Sequence, residues 1–286
     1  MTEKEFENSI DPVRREGVFS PASAAGQGRP ARAETERMSP TKAAGNPGED
    51  EREKETEFFF KRIEQKYMLP PDAYLRFMEV AGPHLIPDEY HISEVHSIYY
   101  DTDNYALIRH SIEKPVYKEK LRVRSYGPQE KDGICFVELK KKYEGIVYKR
   151  RVQMTPLQAE QWLSGEAPAP ENTQITREID WFLKMNDVSP KVLISCRRVS
   201  WKDKDIPGLR FTFDSSLRQR ADDLHLYSGD EGEMLLPEGY SLMEIKIPEA
   251  APMWLARLLS DEEIFPASYS KYGTFYKNMI WREKNA

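Results

Sequence analysis

The chain has 286 residues and a mass of 33.3 kDa, enough for one large domain or two small ones with a real core. Charged residues make up 31% and mean hydropathy is -0.71. No apolar run approaches the ~18–20 residues of a membrane-crossing helix, which argues against an integral membrane protein. Net charge is -6, with 42 basic against 48 acidic residues, and taken globally it points to no polyanionic partner.

Two cysteines, Cys135 and Cys196, are too few for a disulfide framework and lack metal-ligand spacing. No secretory signal is visible. A reducing, cytoplasmic location is the expectation.

Residues 1–56 are rich in Gly, Pro, Ala, Ser, Glu and Arg, with apolar residues such as Phe6, Ile10 and Val18 scattered without period. Such a stretch buries too little surface to offset its ordering entropy, so a disordered tail is expected. The folded part is expected over 57–286. It opens with Arg62, Glu64 and Lys66 on one face of an alternating segment. Pro71–Ala81 follows a Pro-Pro start that suits a first helical turn. Residues 104–112 follow Asp101-Thr102-Asp103, which is good capping chemistry for a second helix.

Three alternating segments come next. In 119–125, Leu121 and Val123 oppose Lys120, Arg122 and Arg124; in 135–142, Cys135, Val137 and Leu139 oppose Glu138, Lys140 and Lys142. In 148–154, Tyr148, Val152 and Met154 oppose Lys149, Arg151 and Gln153. On this parity Lys141 and Arg150 fall on the apolar side and are outer-surface charges. Thr155-Pro156 opens a helix over 157–163, and 176–185 shows apolar helical spacing.

A weaker strand pattern covers 192–202, with Arg198 on its charged side. In 209–214, Leu209, Phe211 and Phe213 oppose Arg210, Thr212 and Asp214; in 243–247, Met243, Ile245 and Ile247 oppose Glu244 and Lys246. Helices are expected over 252–260 and 270–281, the last capped by Ser268. Its aromatics Tyr272, Phe275, Tyr276 and Trp281 read as packing groups. The five histidines, His84, His91, His96, His110 and His225, read as surface or packing groups.

Charge is unevenly placed. Between Lys114 and Arg151 there are twelve basic and five acidic residues. A single alternating strand with a charged side is usually a wet sheet face. Here nearly every polar-side position is Lys, Arg or Glu, strand after strand. Like charges opposed across a sheet are destabilising, and an anion lying among them removes that cost. The fold class expected is α+β: an antiparallel β-barrel whose charged faces line a channel, with helices packed outside.

The ordered motifs sharpen this: Arg62-Ile-Glu64-Gln-Lys66-Tyr67; Ser97-Ile-Tyr-Tyr-Asp101-Thr102; Tyr117-Lys-Glu-Lys120-Leu-Arg122-Val-Arg124-Ser-Tyr126; Val137-Glu138-Leu-Lys140-Lys-Lys142; Tyr148-Lys149-Arg-Arg151. Further on stand Arg198-Val199, Leu209-Arg210-Phe-Thr-Phe-Asp214, Met243-Glu244-Ile-Lys246 and Ser268-Tyr-Ser-Lys271-Tyr272-Gly273. Together they resemble the VTC domain, the polyphosphate polymerase branch of the CYTH-like triphosphate tunnel metalloenzymes, over about residues 57–281.

The resemblance implies a β-barrel tunnel that takes the γ-phosphate of ATP and extends a linear polyphosphate chain, with Mn²⁺ or Mg²⁺. It implies that Lys66, Arg122, Arg124, Lys140, Lys149, Arg198 and Arg210 hold phosphates, that Glu244 is the metal carboxylate, and that Lys271 sits at the reacting phosphates with Arg122 and Arg124. Lys120, Lys142, Arg151 and Lys246 lie on the same charged faces and join the phosphate-binding set. Glu138 and Glu64 are further metal candidates that would equally serve as partners for the channel cations. Relatives that hydrolyse triphosphates or cyclise ATP open with Glu-x-Glu-x-Lys; Arg62 replaces the first acid, which favours the polymerase branch. The partners implied are ATP and polyphosphate. Nucleic acid is not expected, because base-stacking aromatics are sparse on the charged faces. A triphosphatase and a non-catalytic polyphosphate-binding module are the alternatives.

Overall fold

The computed structural model describes residues 63–144 and 146–285; the tail expected over 1–56 and the Arg62 position lie outside the described residues. The core is one antiparallel sheet. Its strands are β1 (Ile63–Leu69), β2 (Leu85–Asp101), β3 (Tyr117–Tyr126), β4 (Cys135–Tyr143), β5 (Ile146–Met154), β6 (Ser189–Asp203), β7 (Arg210–Arg220), β8 (Glu233–Met234) and β9 (Ser241–Ile247). The order across the sheet is β1-β9-β7-β6-β2-β3-β4-β5, with the short β8 paired to β7. Six helices accompany it among the described residues: α1 (Pro71–Ala81), α2 (Ala106–Ile112), α3 (Pro156–Leu163), α4 (Gln174–Met185), α5 (Met253–Asp261) and α6 (Lys271–Asn285).

Local chemistry explains the helix ends. Pro71 occupies the first turn of α1, where its missing N–H costs nothing. Thr155 and Gln158 form a reciprocal capping box at α3, and Thr173 and Thr176 do the same at α4. At α2 the carboxylate of Asp101 accepts from the Leu107 and Ile108 N–H groups and from the Tyr272 hydroxyl, so one buried acid ties α2 to α6. The cap of α6 is Ser270, whose hydroxyl accepts from Gly273 N–H, rather than Ser268.

The alternating segments become strands with the expected parity. Leu121, Val123, Cys135, Val137 and Leu139 form an outer cluster with Trp162 and Leu163 of α3 and Ile179 and Phe182 of α4. On the opposite flank α1 and α5 cover the outer side, where Tyr74 and Phe77 pack on Phe213, and Phe211 on Phe77 and Trp254. Each fully buried side chain of this kind contributes about 1.5–3 kcal/mol.

Two expectations are corrected. The sheet is not closed into a barrel: β1 and β5 are its two edges. It curls instead, so that Lys140 Nζ on β4 comes within 4.0 Å of Glu64 Oε2 on β1. Part of the β1 edge is covered by the chain leading into α6, where Ala267 N–H donates to Lys66 C=O at 2.7 Å. Nor is the concave face charged throughout. Val95, Tyr99, Val192, Ile194, Cys196, Leu217 and Leu242 form a second apolar cluster with Ile108 of α2 and Tyr272 and Phe275 of α6. Val95 and Tyr99 share the parity of Ser97, which meets Arg124, so this cluster lies on the same face as the cations. The last helix covers part of the concave face instead of packing outside.

Candidate functional site

The cations gather on the concave face in carboxylate-centred groups. Glu138 on β4 is 1% exposed and lies beneath three of them. Arg122 Nη2 is 2.6 Å from its Oε2; Lys149 Nζ and Arg151 Nη2 stand 2.6 and 2.7 Å from its Oε1. Burial pushes this carboxyl up, but Arg122, Arg124 and Lys149 outweigh burial and hold it well below the usual range. Arg151 also lies 4.2 Å from the Phe136 ring centroid and donates to the Tyr126 hydroxyl.

Asp214 on β7 centres a second group. Arg198 grips it bidentately at 2.6 and 2.7 Å, and Lys271 Nζ lies 2.7 Å from Oδ2. Burial works against the Lys271 ammonium, yet Asp214 lifts its pKa above the ordinary value. Lys271 Nζ also lies 3.0 Å from Cys196 Sγ. The first residue of α6 is therefore pointed into the concave face and held there charged.

At the β1 side, Glu244 Oε2 is 3.6 Å from Lys66 Nζ and its Oε1 is 3.7 Å from Lys246 Nζ. Burial raises its pKa, and Lys66 and Lys246 more than reverse that. In the register Glu64 opposes Lys246 while Glu244 opposes Lys66, so the two carboxylates are diagonal neighbours. Arg210 stands at the rim of the same face, half exposed and paired with Asp88.

Other cations remain in excess. Lys118 is opposite Lys142, Lys120 opposite Lys140, and Lys140 opposite Lys149. Burial pushes Lys120 down to about 8, with Lys118, Lys66 and Lys140 adding like charge. Burial likewise lowers Lys118, Lys140 and Lys149. Lys120 Nζ donates to the Ser270 hydroxyl at 3.1 Å. Arg124 is 7% exposed, and among the described residues its guanidinium has the Ser97 hydroxyl as hydrogen-bond partner and no carboxylate in salt-bridge range. Burial, then Arg122, lowers its pKa. Glu138 acts on it only at longer range, and a buried guanidinium without a directly paired anion is costly unless one reaches it.

Lys66, Lys120, Arg122, Arg124, Lys140, Lys142, Lys149, Arg151, Arg198, Arg210, Lys246 and Lys271 thus share one face. The three carboxylates considered for a metal part company. Glu138 is taken up by three cations, whereas Glu244 makes contacts longer than hydrogen bonds and Glu64 faces the same space. Among the described residues no group of three His, Cys, Asp or Glu side chains is placed to hold a metal. A hard divalent ion held by one or two carboxylates, with phosphate and water oxygens completing its shell, fits Glu244 and Glu64.

Two members of the site, Asp214 and Tyr99, stand outside the set of site residues expected from the sequence. Asp214 is recoverable from sequence, because it is an acid on the charged side of a strand neighbouring Arg198. Tyr99, within 3.4 Å of Arg122 Nη1, lies in a stretch without alternation. On the outer side, Lys141 and Arg150 both bind Glu178 of α4 at 2.8 Å, away from the concave face.

Among solved structures, a candidate adenylate cyclase of Bacillus halodurans is similar at 13% identity, over 73% of this chain and 93% of that one, with a TM-score of 0.46. A candidate adenylate cyclase of Vibrio parahaemolyticus shares 13% identity over 75% and 97% of the two chains, TM-score 0.38. The triphosphatase of the Mimivirus capping enzyme shares 10% over 71% and 89%, TM-score 0.32. No curated protein sequence matches the chain significantly. No helix among the described residues is long and apolar enough to cross a membrane. The profile of the VTC domain matches residues 61–280. With more than half its length inside that match, the chain belongs to the VTC domain family.

Proposed function

We propose that this chain is an ATP-dependent polyphosphate polymerase that works on the concave face of its curled sheet. The observation that carries the reading is the cation excess there, above all the buried Arg124 guanidinium with no carboxylate in salt-bridge range among the described residues. Phosphoryl transfer needs little covalent help from protein; it needs alignment and charge compensation.

In this reading the β3–β5 cations hold the phosphate string. Arg122, Arg124 and Lys271 meet the phosphoryl group in transfer, with Arg198 beside them through Asp214. A terminal oxygen of the growing chain attacks the γ-phosphorus. The bond from γ-phosphorus to the β-bridging oxygen breaks and ADP leaves. The attacking oxygen is already anionic, so no general base is required. A divalent ion, Mn²⁺ or Mg²⁺, would be held by Glu244 with Glu64 and would neutralise phosphate charge there. Glu138 serves to orient Arg122, Lys149 and Arg151.

Incubation of the full chain with ATP and Mn²⁺, followed by sizing of the product, tests this. The expected result is acid-labile chains with ADP formed in step. Free phosphate without polymer supports a triphosphatase instead. Tight, salt-sensitive binding without turnover supports a polyphosphate-binding module.

A further inference from the structure

Tyr99 sits where the apolar and cationic parts of the concave face meet. It is 6% exposed. In the register it opposes Arg122 on β3 and the apolar Val192 on β6. Its ring stacks on Tyr272 of α6, with centroids 5.0 Å apart and planes 14° from parallel, which fixes the direction of its hydroxyl. Arg122 Nη1 donates to that hydroxyl at 3.4 Å. Among the described residues no group accepts the phenol's own proton. A buried hydroxyl amid guanidinium and ammonium groups is thus left with a donor to spend and nothing negative to give it to.

We infer that Tyr99 touches substrate: its phenol donates a hydrogen bond to a phosphate oxygen gathered by Arg122, Arg124 and Lys271. The inference rests on the proposed function only in requiring a phosphate chain on this face. The charges around the ring agree with it. Lys120, Arg122 and Arg124 face it from β3; Lys271 and Tyr272 face it from α6. Burial raises the phenol's pKa, but Arg122, Arg124 and Lys271 outweigh burial and bring it down to about 8. Without a bound anion, the phenol itself moves towards serving as the counter-ion. A phosphate takes over that role and requires the phenol to carry its proton. Binding is then coupled to proton uptake, and affinity falls as pH rises through about 8. Lys120 adds to this slope, since losing its proton removes a cation.

Tyrosinate absorbance isolates the phenol from the lysine. Ordinary tyrosines ionise near pH ~10, so at roughly pH 8.5 only perturbed ones absorb. Tyr126 is a second such residue: burial raises it, but Arg151 and Arg124 lower it overall. The experiment titrates inorganic tripolyphosphate into the full chain, into Tyr99→Phe and into Tyr126→Phe. Absorbance and calorimetric affinity are both followed.

The expected result is loss of tyrosinate signal on binding in the native chain and in Tyr126→Phe, and no such loss in Tyr99→Phe. Tyr99→Phe should bind about ten-fold more weakly near neutral pH, as for a lost hydrogen bond to a charged group. Binding with an unchanged tyrosinate signal in the native chain, or with the same signal loss in Tyr99→Phe, overturns the role of Tyr99 and leaves the proposed function standing. Absence of tripolyphosphate binding overturns both.

Discussion

Lys140 and Lys141 are neighbours on β4, and Arg150 and Arg151 are neighbours on β5, yet they live in opposite electrostatic worlds. On the outer side, Lys141 and Arg150 share Glu178, and Lys141 also approaches Glu119 at 3.7 Å. On the concave side, Lys140 faces Lys120 and Lys149 across the ladder, with Glu64 4.0 Å away. Arg151 shares Glu138 with two other cations. The outer charges are matched by Glu178 on α4 and Glu119 on β3 and complete the protein's own surface. The inner charges exceed their acids, and in the proposed reading a phosphate chain completes them. Charge count alone does not separate these two populations; parity and the partner on the facing element do.

The contrast can be broken most severely at the inner cations. Lys271→Ala and Arg122→Ala should each lower turnover by about 10²–10³-fold, the usual cost of removing a preorganised charge stabiliser. Circular dichroism should show the fold retained. Unchanged rates would remove the concave face from the chemistry. Glu244→Gln should lose activity and divalent-ion dependence together, by roughly a hundred-fold, in line with the several kcal/mol a bound ion supplies. Metal titrations with activity as the readout check this.

Glu138 tests the balance within the face. Glu138→Gln leaves three cations without their shared acid and should cost about 3 kcal/mol in denaturant unfolding. Tripolyphosphate should restore much of that loss, because it supplies the missing negative charge. The pH behaviour follows from sign. The folded-state pKa of Glu138 lies below its ordinary 4.5, so its stabilisation is complete above that value and is lost as pH falls through the folded-state one. Glu138→Gln should lack this acid-side slope.

Saturating tripolyphosphate, at about a hundred times its dissociation constant, should stabilise the native chain by about 2.7 kcal/mol. Added salt should weaken the effect. The smallest effect belongs to the outer face. Glu178→Gln should change stability by less than about 1 kcal/mol and leave turnover unaltered.

Much of this arrangement is legible in the sequence. Alternation located β1, β3–β7 and β9, and assigned Lys120, Arg122, Arg124, Lys140 and Lys149 to one face and Lys141 and Arg150 to the other. It failed at β2, the longest strand. Residues 95–100 are buried on both sides, against α3 and α4 outside and α6 inside, so both parities are apolar or neutral and no period of two survives. Tyr99 was hidden for the same reason. The acid at Glu138 was visible, but its grip on three cations depends on two neighbouring strands in register.

Sequence by itself determined which side chains face which way, because a strand's period of two is local and needs no partner. Tertiary structure decided that the sheet stays open between β1 and β5, that α6 enters the concave side with Lys271 at its tip, and that Asp214 joins Arg198 to Lys271. Those outcomes depend on how far the sheet curls and on which distant segments fill its edge and bore, and no local spacing encodes either.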